Sequence, residues 1–204
     1  MAGSASGGGV GRAGELLYGG FAEGRKLLVS GNGGSSAEAQ HLTAELVGRF
    51  AFDRKPLPAI ALTTNQALLT AWSNDQSFAD VFARQIDALG VPGDVAWGIS
   101  TSGTSVNVVN GLRRARERGL RTIGMTGESG GDLAGLCVVL LAVPLATPAR
   151  SPATHHATHP TLCPPPQARL STRRPWARPT TERREGTQGT GRELHRSTAR
   201  PVDP

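Results

Sequence analysis

Short apolar runs alternate with stretches of helical spacing between residues 27 and 143. Leu27, Leu28 and Val29 form a run short enough for one buried strand, and similar runs stand at 59–62, 95–99, 122–125 and 137–143. Between them apolar side chains recur every three or four residues. Ala39, Leu42, Leu46 and Val47 predict a helix over 36–49, and 65–72 reads as another. Val81, Phe82 and Ile86 share one face of a helix over 78–89, which Gly90 ends. Val106, Val108, Val109 and Leu112 mark a helix over 104–118, and 133–136 reads as a helical turn. Ahead of the first strand, Leu16, Leu17 and Phe21 space a short helix over 13–21, broken by Gly24. Strands that alternate with helices five times predict an α/β domain, a parallel sheet with helices on both faces.

The pattern stops near residue 145. Residues 146–204 carry 10 of the 14 prolines and 10 arginines, and Leu162, Leu170, Leu194 and Val202 are their only large aliphatic residues. Such a segment cannot bury enough apolar surface to offset its ordering entropy, so it reads as disordered. Residues 1–11 are mostly Gly, Ser and Ala and read as a flexible leader. That leaves 12–145 as the domain.

The division locates the charge. Residues 1–145 hold 12 basic and 12 acidic residues, so the net charge of +6 lies wholly in the tail. The high pI therefore carries no nucleic-acid signal for the domain. Arg113, Arg114, Arg116 and Arg118 read as a solvated helix end whose cations suit the helix dipole. Cys137 and Cys163 form neither a disulfide framework nor a paired metal motif, which fits a reducing, cytoplasmic setting. The N-terminal stretch lacks a basic region followed by an apolar core, so it reads as no signal peptide. No run is long enough to span a membrane.

Candidate chemistry gathers at two loops. After the first strand come Gly31, Asn32, Gly33 and Gly34, which permit a sharp turn and close approach to a ligand. Ser35 or Ser36 is placed to cap the helix that follows, with Glu38 completing a capping box. A strand, a glycine loop and a helix start together make an anion site. On the same helix His41 and Glu45 stand one turn apart on one face. The third strand ends in a second loop, where Ser100, Thr101, Ser102 and Ser105 crowd around Gly103. Hydroxyls with backbone N–H groups hold a phosphate without a lysine. Either loop alone is an ordinary strand-to-helix turn. The pair points to a phosphorylated small molecule at the strand ends. Asn74 and Asp75 read as a turn before the helix at 78.

GNGGS at 31–35, AEAQHLTAELVGRF at 37–50, SND at 73–75, ISTSG at 99–103 and TGESGG at 126–131 together resemble the sugar isomerase (SIS) domain. Within it they are most similar to the phosphoheptose isomerases. The resemblance implies a five-stranded, flavodoxin-like three-layer sandwich. It implies conversion of sedoheptulose 7-phosphate to D-glycero-D-manno-heptose 7-phosphate through an enediol(ate), with Glu45 as the base. It assigns Asn32, Gly33, Gly34, Ser35, Glu45, Asn74, Asp75, Ser100, Thr101, Ser102 and Ser105 to the sugar phosphate, and His41 with Glu45 to a zinc ion. It also implies a cytoplasmic homotetramer.

The family completes its site with a C-terminal helix bearing a Gln and a His. Here that stretch holds Arg150 and then SPATHHATHPTLC, with Pro152 and Pro160 set against a helix. His155, His156 and His159 lie there without assignable roles. The change near 145 reads as a frameshifted or degenerate end to an isomerase gene. A second reading follows from this departure, a non-catalytic module resembling the DnaA initiator-associating protein or a sugar-phosphate-sensing regulator. His41 and Glu45 favour the enzyme, and the missing Gln and His favour the binding module.

Overall fold

A computed structural model describes residues 7–48 and 54–143. Helix α1 (Gly7–Ala22) leads into strand β1 (Leu27–Gly31), helix α2 (Gly34–Val47), strand β2 (Ala59–Ala61) and helix α3 (Gln66–Asp75). A 3-10 turn (Phe78–Asp80) precedes helix α4 (Val81–Leu89), strand β3 (Val95–Ser100) and helix α5 (Val106–Glu117). Strand β4 (Arg121–Thr126), a 3-10 turn (Gly131–Gly135) and strand β5 (Val139–Ala142) complete the order. The five strands are all parallel, in the order β2-β1-β3-β4-β5. That is the flavodoxin-like doubly wound order, and its direction of winding reverses between β1 and β3.

Strand alternation builds the two faces. Leu27 and Val29 join Trp97, Ile99, Ile123 and Met125 in a core covered by Ala13 and Leu17 of α1 and by Ala39, Leu42 and Leu46 of α2. Leu28 and Ala96 point the other way, onto Val81, Phe82 and Ile86 of α4 and Val108, Val109 and Leu112 of α5. Strands buried on both faces read as near-continuous apolar runs, which is how β1 and β3 appear in the sequence. Gly98 allows the close approach of α5. A Cβ there falls 2.8 Å from Val108 and 2.9 Å from Leu112.

Several boundaries differ from the sequence reading. Helix α1 begins at Gly7, inside the stretch read as a flexible leader. Val10 packs against the first core, and Gly9 lies where a Cβ would touch Leu141 at 3.5 Å, so the extra turn docks on β5. Strand β5 starts at Val139 rather than Cys137. Helix α3 runs through Asn74 and Asp75, which close its last turn instead of forming a separate one. Residues 1–6, 49–53 and 144–204, and with them the tail and His155, His156 and His159, lie outside the described residues.

Candidate functional site

Strands β1 and β3 are neighbours with Gly31 opposite Ile99, so the loops that leave them emerge side by side at the switch point. Together they form a cleft of about 330 Å³ lined by Asn32, Ser35, Ile99, Ser100, Thr101, Ser102 and Ser105. The two loops singled out in the sequence thus share one pocket. Gly33 and Gly34 carry the turn from Asn32 into α2, with Gly33 at φ 55°, a value that favours glycine.

The capping box expected of Ser35 or Ser36 with Glu38 is not formed. Helix α2 starts at Gly34, with Gly33 in the N-cap position and no side-chain cap. Helix α5 starts at Val106, and its N-cap Ser105 makes no side-chain cap either. The Ser105 hydroxyl instead lies 2.9 Å from the Ser100 hydroxyl. Two helix N-termini therefore face one cleft with no N-cap side chain over their first turns, an arrangement that favours an anion. Among the described residues the pocket lining contains no Lys or Arg. Its donors are hydroxyls, an amide and backbone N–H groups, which suit phosphate oxygens.

The hydroxyl loop is held from behind. The Gly127 N–H donates to the Thr101 carbonyl at 2.9 Å, and the Leu133 N–H donates to the Gly103 carbonyl at 3.2 Å. Ser102 accepts from the Thr104 N–H at 3.2 Å and from its hydroxyl at 3.0 Å. The TGESGG stretch therefore acts as the wall against which the ISTSG loop is set.

His41 and Glu45 stand on α2 beyond the cleft lining, His41 exposed and Glu45 half-buried. At 1.5 Å per residue they lie about 9 and about 15 Å along the axis from Ser35. Asn74 and Asp75 are exposed at the end of α3, hydrogen-bonded to each other at 2.8 Å, and do not line the cleft. A catalytic zinc takes three protein ligands and keeps one open position. His41 and Glu45 are two, and among the described residues no group of three or more His, Cys, Asp or Glu gathers to hold a metal. Within the described residues these two donors are one short of such a site. Burial pushes the Cys137 thiol up to about 12, with Arg116 opposing.

Two residues of the site were not legible in the sequence. Arg54, between α2 and β2, is buried. It donates to the Glu45 carbonyl at 2.7 Å and the Leu46 carbonyl at 2.8 Å. It closes the C-terminus of the helix that carries His41 and Glu45. Asn107 exchanges two hydrogen bonds with Asn32, at 2.8 and 2.9 Å. No motif flagged it, since its partner is 75 positions away. The arginines of α5 are engaged locally. Arg114 lies 2.7 Å from Asp87 and 2.9 Å from Glu117, Arg116 donates to the Gly135 carbonyl and Arg118 to that of Gly90. Among the described residues no helix is long and apolar enough to cross a membrane.

The SIS domain family profile matches residues 5–127. The phosphoheptose isomerase of Nitratidesulfovibrio vulgaris (strain Miyazaki F) is 58% identical over 121 residues, which are 59% of this chain and 58% of that one. The chain thus spans under two thirds of the length of the curated relatives it matches. The structure of a phosphoheptose isomerase from Neisseria gonorrhoeae superposes with a TM-score of 0.69 at 39% identity, covering 78% of this chain and 84% of that one. One from Francisella tularensis gives 0.71 at 32% identity, covering 80% and 85%.

Proposed function

Because the chain belongs to the SIS-domain family, in its phosphoheptose isomerase branch, we propose that it binds sedoheptulose 7-phosphate and interconverts it with D-glycero-D-manno-heptose 7-phosphate. The observation that carries this reading is the single cleft between two helix N-termini whose N-cap residues make no side-chain cap, lined by Asn32, Ser35, Ser100, Thr101, Ser102 and Ser105. The phosphate sits there. The sugar chain runs along α2 toward Glu45, with Asn74 and Asp75 as further substrate contacts. Glu45 removes a proton from C1 of the ketose to give a C1–C2 enediolate charged on O2, the O1 hydroxyl proton passes to O2, and return of a proton from Glu45 to C2 forms the C1 carbonyl of the aldose.

Zinc is part of the same proposal only as far as His41 and Glu45 offer two donors. No step above passes through it. A homo-oligomer and a cytoplasmic setting complete the reading. Family membership supports both, and the exposed apolar Phe78 and Val106, 52% and 61% accessible, support the first. The non-catalytic module is not favoured, because the phosphoheptose isomerases at 39–60% identity are named as isomerases and His41 and Glu45 are both present.

Calorimetry with sedoheptulose 7-phosphate, together with an isomerase assay with and without added zinc, tests this. Binding with turnover is the expected result. Binding without turnover would move the chain to the non-catalytic module, and absence of binding would remove the phosphate reading.

A further inference from the structure

We infer that Asn107 is a positioning residue, one that locks the glycine loop of β1 onto the hydroxyl loop of β3 by fixing the orientation of the Asn32 amide. The inference rests on the proposed phosphate site and adds a residue to it.

Asn107 is 3% exposed, in the first turn of α5. Its Oδ1 accepts from the backbone N–H of Val108 at 3.0 Å and from Asn32 Nδ2 at 2.8 Å. Its Nδ2 donates to Asn32 Oδ1 at 2.9 Å. The Val108 N–H can only donate, so it decides which end of the Asn107 amide faces it. A flipped Asn107 would set two donors against each other. Asn107 in turn decides the orientation of Asn32. A primary amide has two N–H donors and a carbonyl with two lone pairs. The pair takes up one donor and one acceptor of Asn32, and one N–H of Asn32 remains. Asn32 lines the cleft, so that remaining N–H is a donor available to an anion.

The pair also crosses the switch point. Asn32 precedes α2 and Asn107 belongs to α5, so the two bonds tie together the two helix N-termini that frame the cleft. Backbone pairing of β1 with β3 ends at Gly31 and Ile99. Past that point the amide pair is the side-chain link that holds Asn32 to the α5 side.

The test uses the full chain and two variants. Asn107→Ala removes both bonds to Asn32. Asn107→Asp is isosteric. As a carboxylate it accepts from Asn32 and Val108 but cannot donate to Asn32 Oδ1. Protonated, it can. Affinities for inorganic phosphate and sedoheptulose 7-phosphate are measured by calorimetry from neutral to acid pH, with the unsubstituted chain at each pH as reference for the titration of phosphate itself. Backbone amide resonances of 32–35 and of β4 are followed in parallel. The expected result is a Kd about tenfold higher in Asn107→Ala, shifted resonances at 32–35, and unchanged ones in β4. In Asn107→Asp the deficit relative to the reference narrows as pH falls and the resonances of 32–35 return. If those resonances keep their reference positions in both variants, the inference is overturned. It is also overturned if the Asn107→Asp deficit ignores pH. If the alanine variant is unfolded, β4 resonances are lost and the aspartate variant decides. If the unsubstituted chain binds neither ligand, the phosphate reading fails, while the resonances of 32–35 still decide the role of Asn107.

Discussion

Gly103 and Gly131 meet backbone to backbone, so closely that a Cβ on Gly131 falls 2.6 Å from the Gly103 carbonyl carbon. A Cβ on Gly103 collides with the Gly130 carbonyl. Gly103 and Gly131 have φ of 70° and 52°, in the region that favours glycine. This contact sets the height of the hydroxyl loop against the loop after β4. Gly103→Ala should destabilise the fold by about 1–3 kcal/mol and weaken sugar-phosphate binding together. Denaturant midpoints and calorimetry check both. An alanine variant with unchanged midpoint and affinity would remove the wall from the argument.

Ser100 and Thr101 lie in the cleft lining, and the Ser100 hydroxyl lies 2.9 Å from that of Ser105. Replacing both by Ala should raise the Kd for sedoheptulose 7-phosphate by about one to two orders of magnitude, at about 1 kcal/mol per lost hydrogen bond. The strand and α5 keep their apolar packing, so the thermal midpoint should move little. Equal affinity in the double variant would place the phosphate elsewhere.

At the opposite edge of the sheet, Lys26 Nζ lies 2.6 Å from Asp94, whose side chain is 1% exposed. Burial works to raise the Asp94 carboxyl. Hydrogen bonds from the Lys26 side chain and from the Lys26 and Val91 N–H groups outweigh it, and the net shift is downward. A carboxyl lowered in the folded state adds stability above its unfolded value, and loses it as pH falls through the folded value. Asp94→Ala should therefore cost about 3 kcal/mol near neutrality, with the gap to the unsubstituted chain closing in acid. A gap that stays constant down to acid unfolding would contradict this assignment.

Most of the fold was legible because both periods were clean. Leu27, Leu28 and Val29 form the short continuous apolar run of a doubly covered strand, and all three are buried. Val81, Phe82 and Ile86 fell on one helical face and are buried there. The glycine and hydroxyl loops could be paired from sequence because each follows an apolar run, and parallel neighbours put both loops at one edge. The start of α1 was hidden because Gly7, Gly8 and Gly9 read as a linker, and only docking against β5 makes them helical. The missing cap on α2 was hidden because Ser35 and Glu38 fit a capping box by spacing, while Gly33 at positive φ starts the helix earlier. Asn107 and Arg54 were hidden because their roles come from long-range or loop-to-helix hydrogen bonds, which no local period encodes.

Glu45 is the proposed base. It stands about 15 Å along α2 from Ser35, so its carboxylate is remote from the phosphate loops. Arg54 fixes the last turn beneath it through the Glu45 and Leu46 carbonyls, and these bonds do not involve the carboxylate. Glu45→Gln keeps the shape and the helix but removes the proposed base. Incorporation of solvent deuterium at C1 of sedoheptulose 7-phosphate reports proton removal directly, without requiring full turnover. The glutamine variant should lose that incorporation by at least about a hundredfold while still binding sedoheptulose 7-phosphate. A chelator should leave the thermal midpoint of the unsubstituted chain unchanged, because the described donor set stops at two and the sheet is closed by β5. Deuterium incorporation that survives Glu45→Gln would move the base to another residue. A midpoint that drops with chelator would show a metal built into the fold.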